Sequence, residues 1–509
     1  MIAFKLLVLA AYAAQASPCQ PAGDAERCAD IAKPGTAFGE QFSIINATYV
    51  PAASLNISGS FNQFPFCRVY AQVPYPENNT VGFEVWLPEP KSYNGNFLAV
   101  GNGGFAGNVE QSALMFNMNM GFAVAGGDSG HLGSQNNNGQ GAPGVYIPYL
   151  HDENQVSAWI HNSIALFTPP AKAVVEHLYS TAPVYTYYVG CSTGGAQGFA
   201  LAQFHPTLFD GIVAGCPGNW YSHLSLSFLW NAISSTSPYF LPQETLDYIT
   251  SSVVKACDEL DGVLDGIIED PLVCKFDFES LSCAADNTSG CLTTEQMVAL
   301  RRFYDGPHDS RDNSSLYPGF SFGSESEWML QQEELANAFT IPILQNLVFD
   351  NLSYDATAFN WGSDVDVLDK KAGTFIDEIS PDLSAFRANG GKMIVTQGWA
   401  DPFNAAVWPI QHFQQIEAAM GGNIDDWFEL YMVPGGGHCG AAQGYPQAPA
   451  ILSSLDALTG WVEAGNRPVE MLSSAPADGS NRTRKLCPYP KTSHYTEGDS
   501  DDWASFVCA

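Results

Sequence analysis

The sequence predicts an α/β fold: a mostly parallel sheet interrupted by one large insertion. Three observations point there. Short apolar runs of strand character alternate with helix-like stretches. That alternation stops near residue 216 and resumes near 391. Between a strand-like and a helix-like run lies Gly190-Cys191-Ser192-Thr193-Gly194, a tight strand-to-helix turn.

The elements follow in order. Residues 81–87 read as a strand, and 96–100 as another that runs into Gly101-Asn102-Gly103-Gly104. Residues 121–125 are a third. Residues 155–179 read as a helix, and 184–189, β-branched and aromatic, as a buried strand. A helix is expected at 193–204 and a short strand at 211–214. After the break, 392–396 and 427–433 read as strands, and 404–420 and 448–462 as helices. The stretch from 216 to 390 holds clustered aspartates, five cysteines and three N-x-S/T sequons. A structureless loop of that length does not suit a compact domain. The expected division is therefore a sheet domain, 17–215 with 391–509, and an inserted lid domain, 216–390. The aromatic run Trp220, Tyr221, Phe228, Trp230, Tyr239 and Phe240 reads as core rather than pocket. The polar tail from Pro476 is held by Cys487 and Cys508.

The chain has 509 residues, 46% hydrophobic and 12% aromatic, which excludes disorder of the whole chain. Its 20 basic and 53 acidic residues give a net charge of −33, so nucleic acid and anionic membrane are poor partners. Lys5, the apolar run 6–14 and Ala14-Gln15-Ala16 read as a signal peptide over 1–16, and hence as secretion. No later stretch is long and apolar enough to span a bilayer. Twelve cysteines suit an oxidising compartment. Seven sequons, at Asn46, Asn56, Asn78, Asn287, Asn313, Asn351 and Asn481, predict surface glycosylation.

The G-x-S-x-G turn makes Ser192 a candidate nucleophile; the bland alternative is a plain glycine-rich turn. A serine nucleophile needs a base, and the base an orienting carboxylate. His438, in Gly435-Gly436-Gly437-His438-Cys439-Gly440, follows a strand and is the candidate base, against an ordinary loop histidine. Asp401, in Gly398-Trp399-Ala400-Asp401-Pro402, is the candidate acid, against a helix N-cap. The chain order Ser192, Asp401, His438 is that of an α/β-hydrolase fold. Cys191 precedes the serine and Cys439 follows the histidine. A bond between them would hold their Cα atoms within roughly 7 Å; otherwise they are two unrelated thiols.

Gly-Cys-Ser-Thr-Gly-Gly, the aspartate loop, the His-Cys pair and the insertion together resemble the tannase and feruloyl esterase family, across nearly the whole mature chain. The resemblance implies a Cys191–Cys439 disulfide and a Ser192, Asp401, His438 triad. It implies a serine esterase for esters of phenolic acids, feruloyl or other hydroxycinnamoyl esters of plant cell walls first and galloyl esters second. Oxyanion donors are expected from Thr193, after the nucleophile, and from Gly103 and Gly104. Within the insertion, Asp258, Asp261 and Asp265 stand at spacings that suit a loop round a hard cation, or else an acidic solvated turn. The resemblance assigns this loop a structural calcium, held by the side chains of Asp258, Asp261 and Asp265 and the carbonyls of Val263 and Ile267. Cys257–Cys274 would staple it. Proximity and likeness give Cys283–Cys291, Cys487–Cys508 and Cys28–Cys67. Cys19 and Cys216 are left over, either paired or with Cys216 free. A non-catalytic, calcium-stabilised glycoprotein is the competing reading; an intact triad argues against it, and a fluorophosphonate probe separates the two. A homodimer is conceivable, but nothing in the sequence locates an interface.

Overall fold

The computed structural model describes residues 23–33, 38, 41–136, 141–284 and 290–509. The leader 1–16, Cys19 and Asn287 lie outside them. Nine strands form one mixed sheet: β1 (Ser43–Val50), β2 (Phe66–Tyr75), β3 (Asn79–Pro88), β4 (Phe97–Val100), β5 (Ala123–Gly127), β6 (Thr186–Cys191), β7 (Gly211–Gly215), β8 (Lys392–Gly398) and β9 (Phe428–Val433). Their spatial order is β1-β2-β3-β5-β4-β6-β7-β8-β9. The first three run antiparallel, and the six from β5 to β9 pair in parallel. The parallel strands are buried almost throughout, so they read as continuous apolar runs. The sequence reading passed over β1 and β2. β1 lies at the sheet edge with a half-exposed, polar face, so it carries no such run.

Helices cover both faces. On one, α2 (Ser163–Tyr179), α3 (Thr193–Phe204) and α7 (Val407–Ala419) pack through Ile164, Val174, Phe199, Leu201, Ile410 and Phe413. On the other lie α1 (Gln111–Asn119) and α8 (Ser454–Ala464), through Leu114, Met118, Leu458 and Trp461. The expected helix over 155–179 is not continuous. A wide turn, Ala158–Asn162, precedes α2. It frees the Trp159 carbonyl to accept from Gln197 Nε2 at 2.8 Å. The expected helix over 448–462 begins instead with a short strand, Ile451–Leu452, paired to Met471–Ser474. Apolar spacing alone cannot separate the two forms over so few residues.

Between β7 and β8, which are hydrogen-bonded neighbours, the chain leaves the sheet and returns. No named strand occurs in this excursion among the described residues. Part of it has a core of its own, from Ile233 to Trp328 and including α5 (Gln243–Cys257) and α6 (Thr294–Asp305). Another part packs on residues 147–160 of the sheet domain. Six sequon asparagines, 46, 56, 78, 313, 351 and 481, are exposed. No helix among the described residues is long and apolar enough to cross a membrane.

Several carboxylates are buried in this frame. Burial pushes Asp128 up to about 7, against hydrogen bonds from the Gly82 and Gly130 amides. It pushes Asp377 up to about 6 and Glu429 up to about 7, and Glu378, beside His161, well above its ordinary range. These groups keep protons in the folded chain that the unfolded chain has already lost, so stability falls as pH rises through this window. Burial also pushes His131, His161 and His412 down to about 4, which works the other way. The raised carboxylates, Glu269 at about 8 among them, outnumber these histidines, so the melting temperature should be higher at about pH 5 than at about pH 7.5. Asp128→Asn should flatten that slope. A melting temperature that climbs steadily from pH 5 to 7.5 would contradict the assignment.

Candidate active site

β6 ends at Cys191 and α3 starts at Thr193, so Ser192 alone makes the turn. Its backbone sits at φ +63°, ψ −122°, a conformation that L side chains rarely adopt. Packing holds it there. The Ser192 amide donates to Gly215 O at 2.9 Å, and its carbonyl accepts from the Gly218 amide at 3.2 Å. Gly195 must lack a side chain, since a Cβ there would lie 2.5 Å from the same Gly215 O. The turn presents Ser192 to a cavity at the carboxyl ends of the strands. Thr193 opens the helix, where the first amides have no intrahelical partner.

Asp401 follows β8 and is 1% exposed. Its Oδ1 accepts from the amides of Phe403 at 2.7 Å and Asn404 at 3.1 Å, and its Oδ2 from Gln397 Nε2 at 2.9 Å. The helix-cap alternative is replaced by this turn, because α7 starts only at Val407. His438 Nδ1 lies 3.0 and 2.9 Å from the two oxygens. Burial by itself would raise the Asp401 carboxyl, but the His438 charge and the hydrogen bonds outweigh it and hold it below its usual range. The Phe403 ring stacks on the imidazole at 4.2 Å. His438 Nε2 is buried and has no hydrogen-bond partner among the described residues. Resting sites often show such an open contact, which closes when substrate binds.

The Cys191–Cys439 disulfide is present, with Cα atoms 5.9 Å apart. Cys28–Cys67, Cys257–Cys274, Cys283–Cys291 and Cys487–Cys508 are also formed, and Cys216 is free and buried. A cavity of about 350 Å³ holds Gly103, Gly104, Ser192, Thr193 and His438 on its wall. The Gly104 carbonyl accepts from Thr193 Oγ1 at 2.9 Å and Trp159 Nε1 at 3.1 Å, which fixes that peptide. The apolar side is built by Tyr221, Leu224, Phe228, Phe339 and Phe403. Tyr221 and Phe228, read as core, thus face the cavity as well. Trp220 packs on Tyr317 and Trp408, and Tyr239 is exposed. Phe339 and Phe403 carried no local signal, since nothing around them in sequence marks a pocket. A larger cavity, about 420 Å³, adjoins at Gly103, Cys191 and Cys439 but does not reach Ser192 or His438.

The aspartate loop folds on itself. Asp258 accepts from the amides of Asp265 and Gly266, Asp261 from Val263, and Asp265 from Ile267. Asp258 and Asp261 are buried, and that burial raises both carboxyls. Asp265 Oδ2 contacts the Arg484 guanidinium and lies 3.7 Å from Arg482 Nη1. The three carboxylates do not converge within 4.8 Å of one another. In kind, three desolvated oxygen donors in one stapled loop fit a hard cation; Arg484 is the positive charge that meets them here.

A family profile for tannase and feruloyl esterase matches residues 67–509. An uncharacterised esterase of Xanthomonas campestris is 31% identical, over 92% of this chain and 88% of its own length. A probable feruloyl esterase B of Aspergillus niger is 29% identical, over 93% and 91%. The crystal structure of feruloyl esterase B from Aspergillus oryzae superposes with a TM-score of 0.85 at 26% identity, covering 96% of this chain and all of that one. Tannin acyl hydrolase from Aspergillus niger shares the fold, with a TM-score of 0.80 at 21% identity over 96% of both chains. Since the profile spans most of the sequence, this protein belongs to the tannase and feruloyl esterase family and is a carboxylic ester hydrolase of phenolic-acid esters.

Proposed function

We propose that the protein is a secreted, glycosylated serine esterase that prefers hydroxycinnamoyl esters, feruloyl esters of plant cell-wall polysaccharides first. The observation that carries the acyl preference is the lining of the 350 Å³ cavity. Its aromatic and aliphatic walls suit a planar apolar acid. A galloyl group would need polar partners for three ring hydroxyls. Two polar side chains at hand are committed: Thr193 Oγ1 donates to Gly104 O, and Asn404 Nδ2 donates to Cys216 O at 2.7 Å.

In this reading Ser192 attacks the ester carbonyl and His438 Nε2 takes its proton. His438 then protonates the leaving alcohol, and water repeats the cycle to release the acid. Asp401 holds the imidazole in orientation and stabilises its charged form. The amides of Thr193 and of the Gly103-Gly104 turn receive the oxyanion. Calcium enters as a structural ion for the lid loop, bound by Asp258, Asp261, Asp265 and the Val263 and Ile267 carbonyls. It would neutralise carboxylates that are costly to leave ionised when buried. The Arg484 contact favours a second reading, a loop held by internal ion pairs, and the two differ in their response to a chelator.

Three outcomes test these assignments. Methyl ferulate and methyl caffeate should turn over faster than methyl gallate, with Ser192→Ala as the blank and Asp401→Asn slower by about 10⁴ in kcat. A preference for gallate would sink the cinnamoyl reading. Replacing Cys191 and Cys439 together by Ala should lower kcat at moderate temperature more than it lowers stability; unchanged turnover would show that the bridge does not align the site. EDTA should lower the melting temperature, and calcium should restore it by mass action. A melting curve indifferent to both would leave the loop to Arg484.

A further inference from the structure

Cys216 follows β7 and is the single cysteine among the described residues outside a disulfide. Its backbone is left-handed, with φ +38°, an unfavourable state for an L side chain of this kind. Two hydrogen bonds of 2.7 Å hold it: its amide donates to Thr396 O, and its carbonyl accepts from Asn404 Nδ2. Asn404 in turn gives its own amide to Asp401 Oδ1. The residue is thereby fastened to the loop that carries Asp401.

Its sulfur reaches the other loop. Sγ accepts from the Cys439 amide at 3.4 Å and faces Gly437 O at 3.8 Å, so it grips the backbone on both sides of His438. It also lies within 4.8 Å of an Asp401 carboxylate oxygen and a His438 ring nitrogen, and within 4.8 Å of both sulfurs of the Cys191–Cys439 bridge. Cys439 has its own left-handed backbone, φ +62°, so this turn needs support. Burial, and after it the Asp401 charge, push the thiol well above its usual range. It therefore stays neutral and places no second anion beside Asp401.

We propose that Cys216 is a positioning residue: its sulfur clasps the 437–439 segment to the Asp401 loop and so sets the contact between His438 Nδ1 and the Asp401 carboxylate. This rests on the reading of Ser192, Asp401 and His438 as the catalytic set. Cys216→Ala removes the acceptor and leaves the Cys439 amide unpaired. Cys216→Ser keeps a donor and an acceptor at the same place.

The test compares both variants with the parent on methyl ferulate. It adds the low-field proton resonance of the His438–Asp401 hydrogen bond, which is read without substrate. Cys216→Ala should lower kcat by about 10-fold to 100-fold, with KM within about twofold, and should shift or broaden the resonance. Cys216→Ser should recover most of both. Melting curves and a peptide map under non-reducing conditions verify that each variant is folded with Cys191–Cys439 intact. A parental kcat and resonance in Cys216→Ala would overturn the proposal. So would an equal loss in the Ala and Ser variants, which points to volume alone, or a map showing that the bridge had migrated in the parent. If the parent cleaved no phenolic ester, the substrate reading would fail instead, and the resonance would still decide the role of Cys216.

Discussion

The Cys191–Cys439 bond joins two points 248 positions apart and ties the Ser192 turn to the His438 loop. Closing so long a loop removes about 5 kcal/mol of chain entropy from the unfolded state in the entropic account of disulfides. Stability is the lesser consequence here. A serine and an imidazole must meet within a few tenths of an ångström to exchange a proton, and both are carried on left-handed turns, Ser192 itself and Cys439 beside the histidine. Such turns have no regular hydrogen-bond ladder to fix them. The bridge supplies a rigid link where secondary structure cannot.

Around that link the sheet does the coarse placement. β6, β7, β8 and β9 are parallel neighbours, so their carboxyl ends lie side by side. Ser192, Cys216, Asp401 and His438 each follow one of these four strands. The same arrangement gives the chain four loops at one edge and lets the insertion between β7 and β8 cover them. Hydrogen bonds then do the fine placement: Gln397 and two backbone amides hold Asp401, Asn404 joins Asp401 to Cys216, and Cys216 reaches the Cys439 amide. The site is thus a network of short polar links on an apolar frame, buried enough that Asp401 is ionised only because those links outweigh its desolvation.

The cavity beside Ser192 and His438 has a different origin. Tyr221, Leu224 and Phe228 come from one helical face at the start of the insertion, α4 (Tyr221–Asn231). Phe339 comes from its far part, and Phe403 from the loop beyond Asp401. Phe228 and Phe403 each approach Phe339, so one aromatic cluster serves as both lid core and pocket wall. The shape of this cavity is therefore coupled to how the insertion packs on the sheet domain.

The sequence by itself determined the alternating fold and the insertion, and it singled out Ser192, Asp401 and His438 as candidates. These depend on signals that are local in the chain: buried parallel strands are continuous apolar runs, and a nucleophile turn needs small residues at fixed offsets. The five disulfides became legible only with the help of family likeness, since pairing is a matter of space. The edge strand β1 and its neighbour β2 were not legible, because a strand with one half-solvated face need not be apolar throughout. Nor was the split between strand and helix at 448–462, where short apolar spacing fits both. Only the tertiary structure decided that Tyr221 and Phe228 reach the cavity, that Phe339 and Phe403 join them, and that Arg484 stands against Asp265 across more than two hundred residues of chain. It alone placed Cys216 beside Asp401, His438 and the bridge. A residue's partners across strands depend on register and on the course of the insertion, and neither is written in the residues on either side of it.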